Sequence, residues 1–252
     1  MEKNFLLTLA FNGAAYHGFQ VQQNALSVCT VLQNAMQKVL HARPDVKGCS
    51  RTDAGVHATE YCVSFKSDTA IPPHKLPLAF NSHLPKDIRV KSARQVPQGF
   101  HARYSASGKQ YRYVFLSSSV DDPLAPGLYY RVAPGLNAAE MNKAGKLLVG
   151  KHNFASFMSA GSDIEDTVRT VHNLTVTPEG ERVFVDIAAD GFLYNMVRII
   201  AGTLLKVGNG RLPATQVQAV LQAQNRAAAG ETMPAKGLFL SKVFYPPSAF
   251  EE

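Results

Sequence analysis

Residues 48–58 run Gly48-Cys49-Ser50-Arg51-Thr52-Asp53-Ala54-Gly55-Val56-His57-Ala58 and pass at once into the apolar, β-rich stretch Tyr61-Cys62-Val63-Ser64-Phe65. The local chemistry is a polar turn feeding a strand. Gly55, two residues after Asp53, supplies a backbone geometry that other residues resist. On an extended backbone Arg51 and Asp53 project to the same side, because side chains alternate along a strand. A cation and a carboxylate beside a tight turn suit a catalytic pair. They equally suit a surface turn with a local ion pair.

The flanking chain reads as strands and helices in alternation. Residues 4–11 are a strand closed by the turn signal Asn12-Gly13. Tyr16 and Phe19 follow in a glycine-bearing loop, suited to stacking on bases or to capping the core. Ser27 is an N-cap, and Val28, Leu32, Ala35, Met36 and Val39 recur at helical spacing. That helix ends by His41-Ala42-Arg43-Pro44, since the residue before a proline avoids helical geometry. A strand carrying residues 48–58 and another over 59–66 come next, so the first half reads strand, helix, strand, strand. Pro72-Pro73 opens a short helix or loop, and Ile88-Arg89-Val90 is a strand.

Basic and aromatic residues interleave most densely between Phe100 and Tyr113. Lys109, Tyr111 and Tyr113 alternate with Gln110 and Arg112, which puts the first three on one sheet face. Such a face suits nucleic acid, and equally a half-buried strand with both tyrosines in the core. Asn137 with Glu140 caps a helix whose buried side is Met141, Ala144 and Leu148. Residues 159–166 read as a mobile loop, and 168–176 and 182–188 as two strands joined across Pro178-Glu179-Gly180. Met196, Ile199, Ile200 and Thr203 are spaced as a buried helix face, with Tyr194 and Arg198 on another. An arginine in so apolar a helix is costly unless paired, which points to a carboxylate partner for Arg198. A surface arginine on an amphipathic helix is the alternative. Residues 213–223 are the last helix and 237–243 the final strand.

Charge and cysteine content narrow the function classes. Lys and Arg number 26 against 19 Asp and Glu, a net charge of +7 with a pI near 9.3, which favours a polyanionic partner. The excess is uneven: residues 1–105 hold twelve cations against six anions, and residues 106–252 fourteen against thirteen. Cys29, Cys49 and Cys62 form no C-x-x-C pair, which argues against a disulfide framework and for a reducing compartment. Cys49, His57 and Cys62 fit no compact zinc module. The apolar N-terminal run is too short to span a membrane and lacks a cleavage pattern, so the expectation is a cytoplasmic protein with no membrane partner.

The run Ser50-Arg51-Thr52-Asp53-Ala54-Gly55-Val56-His57-Ala58 resembles the motif of the tRNA pseudouridine synthase A family. Further stretches match in the family's order: Tyr16-His17-Gly18-Phe19-Gln20, Asn81 to Ile88, Phe100 to Tyr113, Gly150 to Phe157 and the segment around Arg198. Ser50 and Phe19 stand where many members have glycine and tryptophan. The resemblance implies an α+β fold of two related ferredoxin-like halves, residues 1–105 and 106–252, forming one continuous, mostly antiparallel central sheet. Helices would cover one side and an RNA-binding cleft the other. It implies an isomerase turning uridine into pseudouridine in the anticodon stem-loop of tRNA, without cofactor or metal, as a homodimer. Asp53 is then the catalytic nucleophile, Arg198 its ion-pair partner, and Tyr111 the stacking surface and possible proton acceptor. Arg51, Lys109, His57 and Phe19 are expected to bind substrate, Arg51 by occupying the space left by a flipped base. A non-catalytic tRNA-binding or RNA-folding protein on the same scaffold is the rival reading. A two-carboxylate hydrolase is weaker, because no second acid is paired with Asp53 at a readable spacing.

Overall fold

The computed structural model describes residues 2–161 and 164–251. Residues 162 and 163, inside the loop expected over 159–166, lie outside the described residues. The elements run β1 (Lys3–Phe11), α1 (Val28–Leu40), β2 (Lys47–Gly48), β3 (His57–Ser67), α2 (Leu76–Asn81), β4 (Ile88–Val96), β5 (Gly108–Ser117) and β6 (Tyr130–Val132). Then follow α3 (Ala138–Lys146), β7 (Gly150–Asn153), β8 (Val168–Glu179), β9 (Arg182–Ala189), α4 (Met196–Gly208), α5 (Gln216–Gln222) and β10 (Leu238–Phe244). By internal contacts the chain divides into two compact units, Met1–Ser107 with Phe239–Glu252, and Gly108–Leu238.

The first unit follows the order β-α-β-β-α-β. β1 pairs antiparallel with both β3 and β4, and β2 pairs antiparallel with β3. The strand order β4-β1-β3-β2 is the ferredoxin-like one. β1 is central, so its run Phe5-Leu6-Leu7 and then Leu9 is buried with little alternation. α1 starts where the Ser27 side chain accepts the Thr30 N–H at 3.2 Å. It buries Val28, Cys29, Leu32, Ala35 and Met36, and stops at His41, whose φ is 55°. One edge of β3 is occupied by β1. The other edge carries β2 at Val63 and Ser64 and the parallel strand β10 at His57 and Ala58. The chain leaving Gly48 therefore has to run back along that edge before β3 can begin.

The second unit runs β5, α3, β8, β9 and α4, the first five elements of that order without a closing strand, with the short β6 and β7 added. β9 lies between β5 and β8, antiparallel to both, with β7 outside β8 and the short β6 parallel to β5. β8 extends through Pro178 to Glu179, further than the sequence suggests, because the pairing continues to Glu179 opposite Arg182. Asn137 caps α3 by accepting the Glu140 N–H at 3.1 Å, and Met141, Ala144 and Leu148 are buried as expected. α4 is enclosed almost all round: Met196, Val197, Ile199, Ile200, Ala201, Thr203 and Leu204 are all buried. The last helix is shorter than expected, starting at Gln216 rather than 213. The described pairings are antiparallel except β3 with β10 and β5 with β6, which makes this an α+β protein with mostly antiparallel strands.

Candidate active site

The segment carrying Asp53 is a loop, not the extended strand expected. Only Lys47 and Gly48 pair as β2, and Ala54-Gly55 form a turn with φ 78° at Gly55. The reason lies in where the backbone bonds go. The Gly55 N–H donates to the Tyr16 carbonyl at 3.1 Å, and the Val56 N–H donates to the Asp53 carbonyl at 3.2 Å. The Gly13 N–H donates to His57 Nδ1 at 3.0 Å. The loop is thus held by residues 13–18 in place of a ladder. Gly18 has φ +76°, and a Cβ there would lie 2.1 Å from the Thr52 carbonyl oxygen. Asp53 is half-buried and Arg51 exposed.

The residues beneath this loop explain its position. Phe19 is 3% exposed and stacks on Tyr61 with ring centroids 4.2 Å apart. The Tyr61 hydroxyl donates to the Ser50 carbonyl, three residues before Asp53. His57 is 1% exposed and stacks on Phe239 at 4.8 Å. Its Nδ1 accepts a backbone N–H, so that nitrogen carries no proton. Sequence reasoning placed Phe19 and His57 against substrate; the structure seats both rings in the interior, supporting the loop from below. Tyr16, the other aromatic of that loop, is also buried and donates its hydroxyl to Asp87 Oδ1 at 2.9 Å. Burial, then the Asp87 carboxylate, push the phenol up to about 12.

In the second unit β5 and the start of α4 hold the remaining expected residues. Tyr113 is fully buried, with its hydroxyl donating to the Pro234 carbonyl at 2.8 Å, and burial pushes its phenol well up. Tyr111 is 7% exposed, and its ring meets Phe192 edge-on at 4.9 Å. Lys109 is half-buried, opposite Ala189 in the β5–β9 register. On the other face Arg112 forks onto Asp186 with bonds of 2.9 and 2.8 Å, so hydrogen bonding to that carboxylate raises the guanidinium's pKa. The guanidinium of Arg198 is fixed in plane: Nε donates to the Met233 carbonyl at 2.6 Å and Nη1 to Asn195 Oδ1 at 2.7 Å. Asn195 is itself left-handed at φ 61°, immediately before α4, and donates to Ser159 Oγ at 3.0 Å.

Residues 190–198 thus press Phe192 on Tyr111 and orient Arg198. Sequence reasoning passed over Phe192 and Asn195. Asp190-Gly191 and Asn195, turn residues just ahead of an apolar helix, are the signal that marks this segment as built. Among the described residues no three His, Cys, Asp or Glu side chains are grouped to hold a metal ion, and no helix is long and apolar enough to cross a membrane.

A half-buried carboxylate on a backbone-clamped loop, in a basic, mostly antiparallel α+β chain, suits an enzyme acting on an anionic polymer. The chain belongs to the tRNA pseudouridine synthase family, whose model matches residues 8–105 and 144–246. It is therefore an isomerase of that family. Phe19, Arg51, Asp53 and His57 lie in the first matched segment and Arg198 in the second, with Lys109 and Tyr111 between them.

Relatives similar over nearly the whole chain bear the name tRNA pseudouridine synthase A. That of Thermoanaerobacter sp. strain X514 is 43% identical over 243 residues, covering 96% of this chain and 100% of the relative. That of Ruminiclostridium cellulolyticum is 42% identical over 240 residues, covering 95% and 98%. Among solved structures the chain is similar to one from a Cbf5-Nop10-Gar1 complex, at 11% identity and TM-score 0.37, covering 97% of this chain and 59% of that one.

Proposed function

We propose that the protein isomerises uridine to pseudouridine in the anticodon stem-loop of tRNA, with Asp53 as nucleophile. The observation that carries this reading is the 43% identity over 96% of the chain to a tRNA pseudouridine synthase A. The Asp53 loop agrees with it: the loop is clamped by Tyr16 and Gly18 from one side and by Tyr61 and His57 from below.

The reaction exchanges one bond for another. The N1–C1′ bond of uridine breaks, the base turns, a C5–C1′ bond forms, C5 loses a proton and N1 gains one. Nothing is oxidised and no group is transferred from outside, so the protein has to supply only a nucleophile, an orienting charge and a surface for the detached ring. Asp53 attacks, and Arg198 pairs with its carboxylate and fixes its direction. The in-plane bonds of Arg198 to Met233 and Asn195 support that assignment, because they aim the guanidinium before substrate arrives. Tyr111 carries the uracil face and accepts the C5 proton, braced by Phe192. Arg51, exposed next to the loop, fills the gap left when the uridine flips from its stack, and Lys109 holds backbone phosphate. Phe19 and His57 act on substrate only through the loop that they support. The family resemblance supports a homodimer. The free thiols of Cys29 and Cys62 support a reducing, cytoplasmic setting.

Carbodiimide primer extension on an unmodified tRNA transcript tests the reading. Wild-type protein is expected to give stops in the anticodon stem-loop. Asp53→Ala is expected to give none while still retarding tRNA in a gel. Binding without stops by the wild-type protein would establish the non-catalytic alternative instead.

A further inference from the structure

Tyr104 is 76% exposed, although its neighbours on both sides in sequence are fixed to the fold. Ala102 is fully buried, with both backbone groups tied to the core of the first unit: its N–H donates to buried Ser64 Oγ at 3.0 Å, and its carbonyl accepts the Tyr245 hydroxyl at 2.6 Å. The turn that follows is closed by the Ser105 N–H on the His101 carbonyl at 2.9 Å and by the His101 N–H on Ser105 Oγ at 3.0 Å. The mount is rigid and the ring it carries faces water.

The surroundings of that ring are cationic and flat. The His101 ring lies against Tyr104 with centroids 4.4 Å apart, and the Arg103 guanidinium sits 5.5 Å from the ring centroid. His101 Nδ1 accepts the Arg103 N–H at 3.0 Å, which locks the imidazole into its tautomer beside the phenol. Burial, with Lys47 and Arg103 nearby, depresses the His101 pKa, so the imidazole is neutral and offers a π-face at physiological pH. Lys47 and Arg103 are the cations of this patch, and Asp45, which pairs with Lys47 at 2.6 Å, is its carboxylate. Left in water, a large aromatic ring forfeits its burial energy, and a rigid mount keeps it from folding back onto the surface. An aromatic face flanked by cations matches an unpaired nucleobase with its phosphate, since stacking on such a ring is indifferent to base identity.

We propose that Tyr104, braced by His101 and Arg103, is a platform on which an unpaired base of the bound tRNA stacks. This rests on tRNA being the substrate. The platform positions RNA and touches no reacting atom, so its loss falls on KM and not on kcat.

The test uses the full chain with Tyr104→Ala, Tyr104→Phe, Tyr104→Leu and Arg103→Ala. Fluorescence anisotropy reads binding of an unmodified tRNA and of a fully paired RNA duplex. Tyr104→Ala is expected to weaken tRNA binding by roughly five- to a hundredfold and to leave duplex binding unchanged. Tyr104→Phe is expected to restore tRNA binding, since a phenyl ring stacks as well, and Tyr104→Leu is not. Arg103→Ala is expected to weaken tRNA binding and to flatten its salt dependence. Equal tRNA affinity for wild type and Tyr104→Ala, or equal losses on tRNA and duplex, overturns the platform. The parent reading fails separately: a wild-type protein that forms no pseudouridine while Tyr104→Ala weakens tRNA binding leaves the platform standing and removes the activity.

Discussion

Replacing Gly18 by alanine tests whether the Asp53 loop is held by its contact with residues 13–18. Two effects add at this position. Gly18 has φ +76°, a left-handed conformation that costs an L-residue about 1–2 kcal/mol. The new Cβ would also lie 2.1 Å from the Thr52 carbonyl oxygen, against an ordinary contact of 3.4–4 Å, so the two backbones must separate by more than an ångström. Thr52 precedes Asp53 directly, and a displacement of that size at a catalytic group costs on the order of a hundredfold in rate. Two other glycines separate strain from displacement. Gly135 has φ +93° with nothing within 4 Å of its Cβ position, and Gly99 has open space without the positive φ. The expected order is therefore clear. Gly99→Ala leaves stability and rate unchanged. Gly135→Ala lowers stability by about 1 kcal/mol with an unchanged rate. Gly18→Ala lowers stability by about 1–3 kcal/mol and the single-turnover rate about a hundredfold, with tRNA affinity retained. The assays are thermal unfolding and single-turnover pseudouridine formation. A Gly18→Ala protein with wild-type turnover would refute the idea that this seam sets the position of Asp53.

Further predictions follow from other contacts. Arg198→Lys keeps the charge but cannot reproduce the fork onto Met233 and Asn195, so turnover is expected to fall at least tenfold while tRNA affinity in a gel shift stays within about twofold. Phe19→Ala removes a buried ring stacked on Tyr61, and a loss of about 3–5 kcal/mol in denaturant unfolding is expected; a surface-stacking residue would show almost none. Tyr16 has its phenol pKa raised from 10.0 to about 12, so the folded state holds this proton more tightly than the unfolded one. Its contribution is complete below pH 10 and disappears as pH rises towards about 12; Tyr16→Phe is expected to flatten that part of the stability–pH curve relative to wild type.

The sequence was most informative where local chemistry decides structure. Ser27 and Asn137 cap α1 and α3 as their types require, and the helical spacing of Leu32, Ala35 and Met36 marks the side that packs inward. Legibility failed where distant backbone decides. The Asp53 segment reads as an extended strand, but its N–H groups go to Tyr16 and within its own turn, which no local pattern announces. Phe19 and His57 carry the chemistry of RNA contacts, yet Tyr61 and Phe239 cover their rings, and those partners come from far along the chain. β10 joining the edge of β3 in parallel is equally invisible, since nothing in residues 238–244 specifies a neighbour. For Arg198 the cost of an arginine on an apolar helix pointed to a carboxylate partner; the bonds to the Met233 carbonyl and the Asn195 amide oxygen orient the guanidinium and are a different kind of contact.

The central claim is that Asp53 starts the exchange of the N1–C1′ bond for C5–C1′. The most direct measurement is release of tritium from a tRNA transcript whose uridines are labelled at C5. Wild-type protein is predicted to release label in step with pseudouridine formation, and Asp53→Asn, nearly identical in shape, to release none while binding the same tRNA. Release by Asp53→Asn at the wild-type rate would contradict the account.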